Sequence, residues 1–334
     1  MSEISEPAEV ETTSDALYTV VAGEGDGFLL GLAAGDSAGG AWDLGYSAIT
    51  EQATIISYEL IANQELDHAR LRQALLELDG LHEEEPVYRA ETPAFRIWLD
   101  RARAGSPVPG EEPALDAAAR SLPLGVVFRR EPETLVTEAS RLGRLFHRDA
   151  GTIAAGVISA AAVAASCFAQ SGLDLVAGVG ETIELGLDDL VSGADGSDRI
   201  ARLPDEISSL LPAVGVTTAA QAVAAVGGNA DGPLDDDPVK AVLAGLLLAA
   251  PVAPRHHVAI SEAAGVGGSL LGAVVGSVVG ARVGIRAWPW AFANDTWFAE
   301  IGRRLVRGPN EVRDLPIPYA VEQHLLSGGR PGFH

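Results

Sequence analysis

The sequence predicts an all-α domain, and three observations carry that prediction. Alanine-rich runs at residues 117–120, 154–169, 218–225 and 241–250 combine strong helix propensity with few β-branched or aromatic clusters. Only 5% of the chain is aromatic. Alternating Val/Ile/Thr/Tyr runs bounded by turn residues, the mark of strands, are hard to find. With 334 residues, of which 47% are hydrophobic, the chain has ample material for a core. No long polar linker divides it. We therefore expect one domain over residues 26–325, with an acidic, disordered tail at 1–25 and a short C-terminal tail at 326–334.

Punctuation places the elements. A first helix is expected from about Gly27 to Asp36, where a Gly-rich loop reaching Gly45 breaks it, and a second from about Thr50 to Asn63. Residues 80–93 are acidic and Pro-containing, and 104–113 form a Pro/Gly loop; both read as surface connections. A helix from about Pro132 leads to His147, and the alanine-rich helix follows. The segment from Gly227 to Pro238 reads as an exposed loop, with Asp235, Asp236 and Asp237 as the acidic start of the next helix rather than a calcium loop. From Ala263 to Ala281 there is no charge, and Gly268, Gly272, Gly276, Gly280 and Gly284 recur every four residues. That spacing lets helices approach closely in lipid. It equally suits the centre of a large helical domain, which is the reading preferred because no flanking Lys/Arg cluster marks a membrane boundary.

Charge and sulfur narrow the function classes. The net charge is −23, and no Arg or Lys precedes Arg70, so nucleic acid and anionic membrane surfaces are excluded as main partners. The single cysteine, Cys167, permits no internal disulfide and reads as a small core thiol. A cytoplasmic location is expected, since the N-terminus has no basic region followed by an apolar core. The adjacent His256 and His257 diverge on any regular element and do not suggest a metal pair.

Several motifs occur in a fixed order. Gly27–Asp43, reading GFLLGLAAGDSAGGAWD, has glycines at helical spacing and two carboxylates, Asp36 and Asp43, seven residues apart. Phe95–Asp100 (FRIWLD), Arg120–Gly125 (RSLPLG), Phe146–Asp149 (FHRD) and Gly265–Gly284, closing at Trp288–Pro289, follow. In this order they resemble the ADP-ribosylglycohydrolase family over roughly residues 27–290. The resemblance implies a compact orthogonal helical bundle. It also implies two Mg²⁺ ions held by a T-D-D-T motif on one helix and a D-x-D-T motif on another.

The family's metal positions correspond here to Thr50, Glu51, Gln52 and to Gly267, Ser269, Leu270, which leaves Glu51 as the one carboxylate. Two Mg²⁺ ions demand near-octahedral oxygen shells with several carboxylates, which these residues do not supply, so no metal cofactor is expected. A helical backbone at 267–270 would keep its carbonyls in its own ladder. Asp36, Asp43 and Glu51 are the candidate catalytic carboxylates, while His147, Asp149 and Arg120 are candidates for ligand binding. Asp36 and Asp149 have a competing reading as helix caps. The expected function is that of a pseudoenzyme binding ADP-ribose, a related nucleotide or a protein partner, with self-association also open. The alternatives are a metal-independent hydrolase, which needs a carboxyl of raised pKa in a cleft, and an assembly protein whose pocket is filled by Phe146 and Leu270.

Overall fold

In the computed structural model the described residues are 25–39, 46–80, 88, 90–106, 108–191, 197–229, 234, 236–251, 256–285 and 294–308. The helices run α1 (Phe28–Gly39), α2 (Ala48–Asn63), α3 (His68–Asp79), α4 (Pro93–Arg103), α5 (Asp116–Arg120), α6 (Leu122–Val127), α7 (Pro132–Phe146) and α8 (Ala150–Ser166). They continue with α9 (Gly172–Leu185), α10 (Leu187–Val191), α11 (Ser197–Ile200), α12 (Leu203–Ser209), α13 (Ala219–Ala225), α14 (Pro238–Ala249), α15 (His256–Val283) and α16 (Asp295–Arg307). No β-strand occurs among the described residues; one parallel bridge joins Gly110 to His147. The fold is all-α, as the alanine runs predict.

Short polar residues set the helix starts. Ser47, Asp67, Thr92, Asp149, Ser171, Thr218 and Asp237 each accept a backbone N–H from the first turn of the helix they precede. The Asp237 cap agrees with the reading of that acidic run as a helix start; Asp235 lies outside the described residues. So do residues 1–24 and 326–334, Trp288 and Pro289.

Helix α8 is the hub. Its small side chains are almost all buried, and α5, α6, α7, α9, α14 and α15 pack around it. Cys167 at its C-terminal end is buried, and burial pushes its thiol up to about 12, consistent with a core thiol. The largest interhelical contact is between α1 and α15, which run antiparallel with their backbones touching. A Cβ on Gly35 would lie 1.9 Å from the Gly272 carbonyl oxygen, and one on Gly276 would lie 2.0 Å from that of Gly31. No side chain fits between them.

Two boundaries differ from expectation. Helix α1 continues to Gly39 because its small residues pack against α15 beyond Asp36. Helix α15, long and apolar enough by length and composition to cross a membrane, is mostly buried. It is also two helices: Gly267 (φ −132°, ψ 26°) and Gly268 (φ 61°, ψ −158°) are non-helical. The conformation at Gly268 is open only to glycine. The carbonyls here are therefore not all held in a helical ladder, contrary to the sequence reading.

Candidate functional site

The motif residues converge on one side of the bundle, where α1, α2, α5 and the break in α15 meet. Asp36, in the last turn of α1, is fully buried. Its Oδ2 accepts the Ser47 N–H (2.7 Å), the Ser47 hydroxyl (3.0 Å) and the Thr50 hydroxyl (2.7 Å). Its Oδ1 is buried with no hydrogen-bond partner. Burial outweighs those donors and raises the carboxyl to about 6. Asp36 thus serves as a tether between α1 and the start of α2, and Thr50 is occupied by it. Asp43 lies outside the described residues. Glu51 is fully buried, and its charge is the second cause, after burial, of the upward shift of the Tyr88 hydroxyl.

A second knot surrounds Arg120, 1% exposed. Its Nε donates to Gln52 Oε1, its Nη2 to Asp116 Oδ2 (2.9 Å), and its Nη1 lies 3.1 Å from His147 Nε2. The guanidinium also stacks over Phe146 (4.4 Å) and Phe95 (5.1 Å). Arginine has no acceptor, so His147 Nε2 must accept and the imidazole proton must sit on Nδ1. Burial first, and the Arg120 charge second, hold His147 down to about 4. Thr92 adds a hydroxyl donor to Asp116. Trp98 packs on Phe146 (ring centroids 4.5 Å) and donates to the Leu145 carbonyl. The FRIWLD, RSLPLG and FHRD segments therefore meet in one core cluster. Asp149 instead caps α8, accepting from Thr152 N (2.6 Å) and Oγ1 (2.8 Å).

Between α2 and the break in α15 lies a cleft of ≈ 200 Å³, lined by Ser47, Ala48, Ile49, Gln52, residues 90–92 and residues 267–270. The two segments matched to the metal motifs do face each other here: Gln52 lies on one wall, and Gly267, Ser269 and Leu270 on the other. Asp36, Thr50, Glu51, Arg120, His147 and Asp149 are not on its walls. A raised carboxyl exists at Asp36, but behind the wall residue Ser47 rather than on the cleft surface. Sequence reading missed Glu91, the carboxylate that does line it, because nothing in the irregular stretch 80–93 singles it out. Arg96 grips both Glu91 oxygens. Asp116 was also missed as a site residue, although its four-residue spacing from Arg120 is an ion-pair signal.

This donor set does not fit two Mg²⁺ ions. Among the described residues the walls offer one amide, the hydroxyls of Ser47, Thr92 and Ser269 and no unpaired carboxylate, Glu91 being held by a guanidinium. Among the described residues no group of three or more His, Cys, Asp or Glu side chains could hold a metal.

Comparison with known proteins accords with this geometry. A solved chain described as "ADP-ribosylglycohydrolase-related protein complex" has the same fold, with a TM-score of 0.60 at 17% identity, covering 85% of this chain and 97% of its own. A search of curated proteins by sequence gave no match. The ADP-ribosylglycohydrolase family model matches residues 25–314. The chain belongs to the ADP-ribosylglycohydrolase family.

Proposed function

We propose that this chain is a pseudoenzyme of its family, without dinuclear Mg²⁺ hydrolysis, that acts by binding through the cleft between α2 and the break in α15. The observation that supports this best is the wall chemistry. Where the family's two metal motifs face each other, this chain presents Gln52, Gly267, Ser269 and Leu270. Two cations there would lack both charge compensation and oxygen shells. The cleft volume is below the few hundred Å³ that enclose a drug-sized ligand. It therefore suits one group of an ADP-ribose-like molecule, with the remainder on the surface. A role in assembly is the second reading, favoured by the burial of Asp36, Arg120 and His147 in structural contacts.

Calorimetric titration with ADP-ribose, in excess EDTA and again in millimolar Mg²⁺, tests the proposal alongside a hydrolysis assay on ADP-ribosylated protein. The expected result is binding that EDTA leaves unchanged, with no turnover in either buffer. Turnover that depends on Mg²⁺ would sink it. No binding in both buffers would transfer the weight to assembly, checked by mass in solution.

A change that adds carboxylates should not recover a metal site easily. A Cβ on Gly267 would meet Leu271 Cβ at 2.7 Å. We predict that Gly267→Asp combined with Ser269→Asp lowers the melting temperature and that millimolar Mg²⁺ does not restore it. Restoration by Mg²⁺ would show that the surrounding shell still accepts the metal.

A further inference from the structure

We propose that the cleft between α2 and the break in α15 binds a compact oxyanion, a phosphate or carboxylate group, through Gln52 Nε2 and the N–H groups that open the Ser269–Val283 helix. This rests on the preceding reading that the cleft is not a cation site, and names the chemistry it takes instead.

The orientation of Gln52 carries the argument. An amide's oxygen and nitrogen are easily interchanged, but here the partner decides between them. Arg120 can only donate, so the atom receiving its Nε–H must be Oε1. That turns Nε2 the other way. Gln52 is 2% exposed and lines the cleft, and Nε2 has no hydrogen-bond partner. The NH₂ group is thus a donor open to the cleft and unmatched by any protein acceptor, ready for whatever enters there.

The opposite wall supplies more donors. Because Gly267 and Gly268 are non-helical, a new helix begins at Ser269, and its first N–H groups have no carbonyl one turn back. Ser269 and Leu270 line the cleft. The start of α2, at Ala48 and Ile49, lies on the same cleft. At α2 the Ile49 N–H is taken by Ser47 Oγ and the Thr50 N–H by the Ser47 carbonyl, so it is the N-terminus at Ser269 that brings its positive end to this small space. Among the described residues Glu91 is the one carboxylate on the wall, and its two oxygens are held by Arg96. A site built for cations presents carboxylates; beside the carbonyls of the break, this one presents an amide NH₂, the Ser269 hydroxyl and backbone N–H groups.

The test titrates inorganic phosphate into the protein in EDTA, by calorimetry and ³¹P line broadening, with acetate as the carboxylate probe and AMP as the nucleotide probe. Gln52→Glu keeps an oxygen for Arg120 while replacing the donor with a charge that repels anions. Ser269→Asp places a charge that repels anions on the opposite wall, at a partly exposed position, should Gln52→Glu fold poorly. The expected result is saturable phosphate binding with a Kd of order 1 mM, weakened at least tenfold in either variant. Tighter binding of AMP than of phosphate would assign the group to a nucleotide, and preference for acetate would assign it to a carboxylate; either supports the proposal. No saturable binding of any of the three probes, or equal binding by wild type and both variants, would overturn it. ADP-ribose binding that phosphate and acetate fail to displace would overturn the anion assignment and leave the binding role standing. Mg²⁺-dependent hydrolysis would remove the reading beneath both.

Discussion

Asp36→Asn will stabilise the protein at pH 8 by up to about 3 kcal/mol, and the gain will vanish as the pH falls to 4. Asp36 has three donors on one oxygen and none on the other, and burial raises its carboxyl from 3.8 to about 6. A folded-state pKa above the unfolded one means that the native state binds the proton more tightly. The stability this contributes is complete below about pH 4 and is lost as the pH rises through 6. Asparagine keeps an oxygen for Ser47 and Thr50 and never ionises. His147 acts in the opposite sense. Its folded pKa is depressed from 6.5 to about 4, so its contribution is complete above pH 6.5 and is lost as the pH falls through 4. That also amounts to about 3 kcal/mol. Between pH 4 and 6.5 the two slopes oppose each other, and the wild type should respond weakly to pH there. Asp36→Asn will expose the histidine slope, so that its stability falls toward acid. His147→Gln keeps an acceptor for Arg120 and will expose the aspartate slope, with stability rising toward acid. Denaturant unfolding of the three proteins from pH 4 to 8 checks this. Parallel curves would mean that neither group is held as the structure has it.

The same two residues mark how far the sequence could be read. Helix content and the approach of the Gln52 segment to residues 267–270 follow from propensity and from the order of motifs, which are read off the sequence itself. The roles of Asp36 and His147 do not. Whether an aspartate at a helix end caps, tethers or catalyses depends on Ser47 and Thr50, which lie across a loop. The tautomer of His147 depends on an arginine 27 positions away. Asp149 was legible as a cap because its partner, Thr152, is three residues on. The break in α15 was hidden for another reason. Gly268 belongs to the same four-residue glycine series as Gly272, Gly276 and Gly280, and the series alone does not reveal that this member, unlike those three, has left the helix. Glu91 was illegible because its meaning comes from the cleft it borders.

The glycine series supplies the second large effect, because sign as well as size discriminates. Within a helix, glycine is worse than alanine by about 1 kcal/mol, so replacing it should stabilise wherever space allows. Gly265 is an exposed helical position of α15 with nothing within 4 Å of an added Cβ. Gly265→Ala should therefore stabilise by about 0.5–1 kcal/mol. Gly35→Ala and Gly276→Ala should instead destabilise by about 3 kcal/mol or more, since the added methyl meets the facing helix's carbonyl oxygen at 1.9 and 2.0 Å. A flexible side chain could turn aside, but a backbone carbonyl in a helix cannot move without its neighbours. The separation of α1 from α15 would have to grow along its whole length, from the Gly27–Gly280 contact to that of Gly39 with Ser269. Because Ser269 borders the cleft, Gly39→Ala carries the same clash to the candidate site, with its Cβ 2.2 Å from Ser269 N. We expect it to weaken phosphate binding at pH 7 as well as stability, whereas Gly276→Ala, about two helical turns further from the break than Gly268, should lower stability with the smaller effect on binding. Equal stabilisation by alanine at positions 35, 265 and 276 would mean that α1 and α15 are not in backbone contact, and the geometry of the cleft would then need revision with them.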